Sequence, residues 1–180
     1  MQGTPFMKLV SQRRSIRKYK PLPVEKEKLM ACLEAARLAP SACNAQPYKF
    51  IVVSDPAAKD KLAAAAFSGV YSACKFAAAA GALVVVVSQK GSATAWLGNQ
   101  MQGTNFRLMD IGIAAEHFVL AAEEQGLGTC WLGWFNAKAA AKALSLPSGT
   151  KAEVMLSVGY ADEAPQARKR KSMEEIALIV

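Results

Sequence analysis

The stretch NFRLMDIGIAAEHFVLAAEEQGLGTCWLGWF, residues 105–135, decides the fold class. Leu108, Ile111, Ala115, Phe118 or Val119 and Ala122 recur at the three- and four-residue spacing of one helical stripe, and Gly126 suits the place just past a helix end. TCWLGWF, Thr129 to Phe135, follows at once; short, β-branched and aromatic, it reads as a strand. A long central helix therefore passes straight into a strand.

Upstream, VEKEKLMACLEAARLA places Leu29, Leu33 and Ala36 at i, i+4, i+7 and stops at Pro40, which predicts another helix. YKFIVVS (Tyr48 to Ser54), ALVVVVS (Ala82 to Ser88) and AEVMLSVGY (Ala152 to Tyr160) predict three more strands. Asn136 can cap a short helix, AKAAAKAL, ahead of Pro147, and the alanine runs at 63–66 and 77–80 favour helix. From Ala161 the chain reads as an extended tail ending in IALIV. Helices and strands do not alternate strictly, so the expected class is α+β, a mixed sheet flanked by helices. With no Gly-, Ser- or Pro-rich linker and no repeat of fixed period, residues 1–180 are expected to form one domain.

Composition narrows the chemistry. A chain of 180 residues with 52% apolar character can bury a core without disulfides or metals. Cys32, Cys43, Cys74 and Cys130 form no C-x-x-C pair, and His117 is the sole histidine, so reduced thiols in a cytoplasmic protein are expected and a metal site is not. The N-terminus lacks the apolar core of a signal peptide, and FAAAAGALVVVV (Phe76 to Val87) is too short to cross a bilayer as a helix. GNQMQGT has the glycine spacing of a phosphate loop without its lysine, and GLGTCWLG does not fit G-x-G-x-x-G. A lone helical His117 beside Glu116 favours a structural role over a catalytic one, so no catalytic side chain is assigned.

Charge asks for a partner. The formal charge is +8, and LVSQRRSIRKYK (Leu9 to Lys20) sets three arginines and two lysines around Ser15 with no acid among the first twenty residues. A second run, Arg168 to Lys171, lies near the other end. On a helix Arg13 and Arg17 would share one face about 6 Å apart. Were Arg168 and Arg170 to meet them, guanidinium forks and the Ser15 hydroxyl would suit a phosphate monoester. A basic nucleic-acid-binding module without cofactor is the alternative, although no recognised motif of that kind appears. The loop APSACNAQPY (Ala39 to Tyr48) gathers Ser41, Asn44 and Gln46 between prolines. It either reads a polar heterocycle or sugar alcohol, or satisfies its own backbone as a turn.

Taken in order, RRSIRKY, LEAARLAPSACNAQPYKFIVV, LAAEEQGLGTCWLGWF and VGYADEAPQARKRKSMEEI resemble the FMN-dependent nitroreductase superfamily along nearly the whole chain. The resemblance implies a nitroreductase-like α+β homodimer with one FMN at each end of the subunit interface. It implies NAD(P)H as donor and a small-molecule acceptor, a nitroaromatic, quinone or related electrophile; nucleic acid and membrane are not expected partners. By motif, Arg13, Arg14, Ser15 and Arg17 match the N-terminal flavin-binding segment, and Arg168 and Arg170 the C-terminal basic positions at the phosphate. Pro40, Ser41, Asn44 and Gln46 match the loop that reaches the flavin, largely from the other subunit, and Leu132 and Gly133 the strand end whose backbone approaches the reactive ring. Arg17 is expected to extend the positive field toward the ring. Many members carry an asparagine and a lysine before the second strand, where this chain has YSACKFAAAA; Cys74 and Lys75 are left unassigned there. Trp96 and Phe106, in the segment Gln89 to Phe106, are candidates to stack on an aromatic acceptor, with core packing as the alternative. Flavin fragmentation or reductive dehalogenation within the same superfamily would use a similar shell.

Overall fold

The computed structural model describes residues 3–89 and 103–180. In chain order the elements are α1 (Pro5–Gln12), α2 (Lys26–Arg37), β1 (Tyr48–Val53), α3 (Pro56–Ala66), β2 (Ala82–Ser88), α4 (Phe106–Glu124), β3 (Gly128–Leu132), α5 (Ala137–Ala143), β4 (Lys151–Gly159) and α6 (Met173–Ile176). Short 3-10 stretches cover Ala42–Asn44 and Gly69–Ala79.

The four strands form one sheet in the order β1-β2-β4-β3, and every pairing between them is antiparallel. The α+β class is as expected. The parallel part of the expected mixed sheet is confined to an isolated bridge between Ser15, which belongs to no strand, and Thr129 of β3. In β2, Leu83, Val85 and Val87 face one side, where α3 supplies Leu62, Ala63 and Ala66 and α5 supplies Ala140. Ala82 and Val84 face the other, against Leu29, Cys32 and Ala36 of α2 and Ala115, Phe118, Val119 and Ala122 of α4. Burial on both faces explains why β2 reads as an unbroken apolar run. A side chain such as Phe118, with no exposed area, contributes about 1.5–3 kcal/mol through removal from water.

Asn105 caps α4 by accepting the Leu108 N–H, and the helix closes before Gly126, whose φ of 75° only glycine adopts easily. The buried stripe starts at Ile111; Leu108 is exposed. β3 ends at Leu132, three residues short of the expected Phe135. The C-terminal tail is interrupted by α6, where Ser172 and Glu175 form a capping box.

Candidate functional site

α1 stops at Gln12, so Arg13 and Arg17 do not share a helical face as expected. The reason is Ile16. Its N–H donates to the Thr129 carbonyl at 2.8 Å, and its side chain is buried where Gly128 leaves room: a Cβ at Gly128 would lie 2.6 Å from Ile16 Cγ1. In this extended segment Ile16 turns into the core, and Arg13, Ser15 and Arg17, on the alternate positions, line the opposite side.

The chain's far end is laid against this segment by backbone and carboxylate. Lys20 N–H donates to the Tyr160 carbonyl and Asp162 N–H to that of Lys18, both at 2.9 Å, around a Tyr19–Ala161 bridge. Glu163 Oε1 then accepts from the backbone N–H groups of Arg17 and Lys18, and Arg14 Nε donates to the Pro165 carbonyl at 3.3 Å. The result is a cavity of about 390 Å³ lined by Arg13, Arg14, Ser15, Arg17, Pro165, Gln166, Arg168 and Arg170. Five of these are arginines and none is an acid.

The arginines differ in their attachments. Arg14 Nη1 donates to the carbonyls of Ser11, Gln12 and Arg13 at 2.7–3.0 Å, satisfying the end of α1, so much of this guanidinium is scaffold. Arg13 Nε lies 3.9 Å from Glu116, whose other oxygen accepts from Trp131 Nε1. Burial raises the pKa of Glu123, with Arg13 and Arg14 opposing it. Arg17 stands 5.9 Å from the Phe76 ring centroid. Its field reaches inward: burial raises the Cys74 and Cys130 thiols, and Arg17 pulls both the other way.

The loop before β1 is a separate piece of the candidate site. Cys43, Asn44 and Gln46 all adopt left-handed backbone, with φ of 51°, 52° and 43°. Ala42 N–H donates to Asp110 Oδ1 at 2.9 Å, Gln46 N–H to Ser41 Oγ at 3.0 Å, and Gln46 Nε2 to both the carbonyl and Oδ1 of Asn44. Pro40, Asn44 and Gln46 are exposed and Ser41 half-buried, and none of the four lines the arginine cavity. Asp110 and Glu116 mark the two places on α4, six residues and about 9 Å of helix rise apart.

Leu132 is core, 1% exposed, so only its backbone is available to a ligand, while Gly133 is exposed beside open space. Phe106 opens α4 and is half-buried; Trp96 lies outside the described residues. His117 Nδ1 sits 3.2 Å from the Ala35 carbonyl, tying α4 to α2. Two residues escaped the sequence reading, Glu163 and Asp110. An acid just before a basic run was the available signal for Glu163, whereas Asp110 before Ile111 offered none.

Residues 10–160 match the model of the Nitroreductase family. An Archaeoglobus fulgidus protein described as an NADH dehydrogenase/NAD(P)H nitroreductase is 32% identical over 86% of this chain and 84% of its own length. An iodotyrosine deiodinase of Thermotoga neapolitana is 26% identical over 86% of this chain and 88% of its own. Among solved structures, an FMN-dependent nitroreductase from Clostridium difficile superposes with a TM-score of 0.74 at 30% identity, covering 94% of this chain and 96% of that one.

Proposed function

The chain belongs to the nitroreductase family, and from that premise we propose that it is an FMN-dependent oxidoreductase taking electrons from NADH or NADPH to a nitroaromatic, quinone or related electrophile in alternating half-reactions. The observation that carries this reading is the arginine cavity, lined by five arginines and by no acid; among the described residues Arg13 alone of the five reaches a carboxylate, Glu116 at 3.9 Å outside it. Such a set fits a phosphate monoester: several forks donate charge-assisted hydrogen bonds, and the Ser15 hydroxyl adds another donor.

In this reading Arg13, Ser15, Arg168 and Arg170 hold the phosphate, and Arg14 does so in part while closing α1. Arg17 directs its charge toward the flavin ring. The backbone at Leu132 and Gly133 flanks the ring, and Pro40, Ser41, Asn44 and Gln46 supply polar contacts across a homodimer interface. When bound, FMN supplies the hydride chemistry itself, so the chain needs to bind, orient and tune it electrostatically, without a catalytic acid or base. The homodimer also gives occupants to surfaces that a single chain leaves bare: Phe6, Met7 and Val10 on α1, Leu108, Met109 and Ile113 on α4, and the apolar C-terminus from Leu178 to Val180. The cysteines are unpaired, in keeping with a reducing compartment such as the cytoplasm.

The deiodinase relative favours one second reading, reductive dehalogenation on the same binding shell. The purified protein should be yellow, release FMN on denaturation, and bleach under NADH or NADPH without air; comparing nitroaromatic, quinone and halogenated phenol turnover then separates the two. A colourless preparation that ignores added FMN overturns both.

A further inference from the structure

We propose that Asp110 is the positioning residue for the flavin-facing loop, an inference that rests on the FMN reading above. Asp110 is 3% exposed, in the second turn of α4. A carboxylate so placed is costly unless its oxygens are used. One is: Oδ1 accepts the Ala42 N–H at 2.9 Å. Oδ2 is buried without a hydrogen-bond partner among the described residues, as are Tyr48 Oη at the start of β1 and Arg107 Nε one turn earlier on α4. Tyr48 lies close enough for the charge of Asp110, second to burial, to raise the pKa of its hydroxyl.

What the bond holds is a strained backbone. Three non-glycine residues within four positions, Cys43, Asn44 and Gln46, have positive φ, a conformation that persists only where the surroundings over-determine it. Ser41, Asn44 and Gln46 bond among themselves, which shapes the loop but does not attach it to the rest of the protein. The Asp110 carboxylate attaches it, at the residue where the turn begins. By fixing Ala42, Asp110 sets where Asn44 and Gln46 stand. Its effect on flavin therefore passes through the loop, and it falls on the ring and ribityl portion instead of the phosphate.

The bond can be cut from either side. Asp110→Ala removes the acceptor. Ala42→Pro removes the donor and puts the ring where the N–H met Oδ1, so the carboxylate is displaced as well. Ser41 before it is already extended, with φ −145° and ψ 155°, as a residue preceding proline should be. Asp110→Asn keeps an oxygen in place of Oδ1. Apoprotein of each variant and of the parent is titrated with FMN and with riboflavin, following flavin fluorescence and visible circular dichroism. Asp110→Ala and Ala42→Pro should each weaken both flavins by the same factor, about tenfold, and change the dichroism of bound flavin. The double variant should lose no more than either single one, and Asp110→Asn should recover most of the loss. Arg168→Ala, in contrast, should weaken FMN and spare riboflavin. Parental affinity and dichroism in Ala42→Pro, additive losses in the double variant, or a loss confined to FMN would overturn the role of Asp110 while leaving the FMN reading intact. A parental protein that binds neither flavin overturns both.

Discussion

Glu163 accepts the backbone N–H of Arg17 on its carboxylate, and with it that of Lys18, so an acid from the tail organises the segment that carries the arginines. Two effects of this carboxylate oppose each other. As a negative charge near the cavity it disfavours an anion; as a clamp it holds Arg17 beside Arg168 and Arg170. The clamp should win, because the half-buried carboxylate still meets solvent, which screens its charge, while the lost hydrogen bonds release the geometry. Glu163→Ala is expected to weaken FMN binding by about 1–2 kcal/mol, and Glu163→Gln, which keeps an acceptor oxygen, by less. Tighter binding in Glu163→Ala, read by fluorescence quenching, would show that charge dominates.

Arg13 and Arg170 enter the cavity from opposite ends of the chain. Replacing either by alanine should cost about 1.5–3 kcal/mol of FMN affinity, the range for hydrogen bonds to charged groups. Riboflavin, which lacks the phosphate, should lose much less. Calorimetric titration with both ligands checks this, and equal losses would remove the phosphate from the assignment.

Arg17 is expected to act on potential more than on affinity. A guanidinium near the ring stabilises an anionic reduced flavin more than a neutral oxidised one, by an amount on the order of 1 kcal/mol at an intermediate effective dielectric. Arg17→Ala should thus lower the flavin reduction potential while FMN remains bound. Spectroelectrochemical titration of the bound flavin gives the answer directly, and an unchanged potential would reassign Arg17 to the phosphate end.

Tyr19 ties the same segment to the sheet: its hydroxyl lies 2.7 Å from the Ile16 carbonyl, to which it donates, and 2.7 Å from Ser157 Oγ. Burial pushes the hydroxyl well above the ordinary tyrosine value of 10.0, outweighing the hydrogen bond from Ser157, which lowers it. Above about pH 10 the unfolded chain releases this proton and the native state keeps it, so the unfolded state binds fewer protons and stability falls as pH rises. Tyr19→Phe should remove that part of the alkaline decline. Near neutral pH it should cost about 1–2 kcal/mol, because the Ile16 carbonyl and Ser157 lose a buried partner. Urea melts at pH 8 and pH 11 separate the two contributions.

Much of the sheet was legible because its signals are local. β2 occupies the expected Ala82 to Ser88, since a strand covered on both faces needs apolar residues throughout. The helix α4 declared itself through its buried stripe and Gly126. α1 went unread even though Thr4 and Pro5 are good starting residues; none of its residues is buried in the single chain, so its periodicity has no core to answer to. The convergence of the two ends was inferred from charge and from family resemblance, not from any local pattern. It depends on contacts such as Arg17 with Glu163, separated by 146 residues, and on Ile16 turning inward, which broke the expected helical face. Asp110 carries no local signal: an acid next to Ile111 fits the polar margin of a helical stripe equally well, and only the loop that donates to it shows why it is buried.

Gly128 offers the sharpest test of how that inward turn shapes the site. An alanine Cβ there would stand 2.6 Å from Ile16 Cγ1 and 3.0 Å from its Cβ, so Ile16 must move and carry Ser15 and Arg17 with it. Gly128→Ala is therefore expected to cost about 1–3 kcal/mol of stability, as overpacking does, and to weaken FMN although Gly128 does not line the arginine cavity. Adding Ile16→Ala removes the clashing Cγ atoms. That double variant should regain most of the FMN affinity while remaining destabilised, because the apolar burial of Ile16 is gone. Denaturant melts paired with flavin titrations distinguish the two readouts. Affinity that tracks stability in both variants would mean that the arginine segment is held by general core packing, and not by the fit of Ile16 over Gly128.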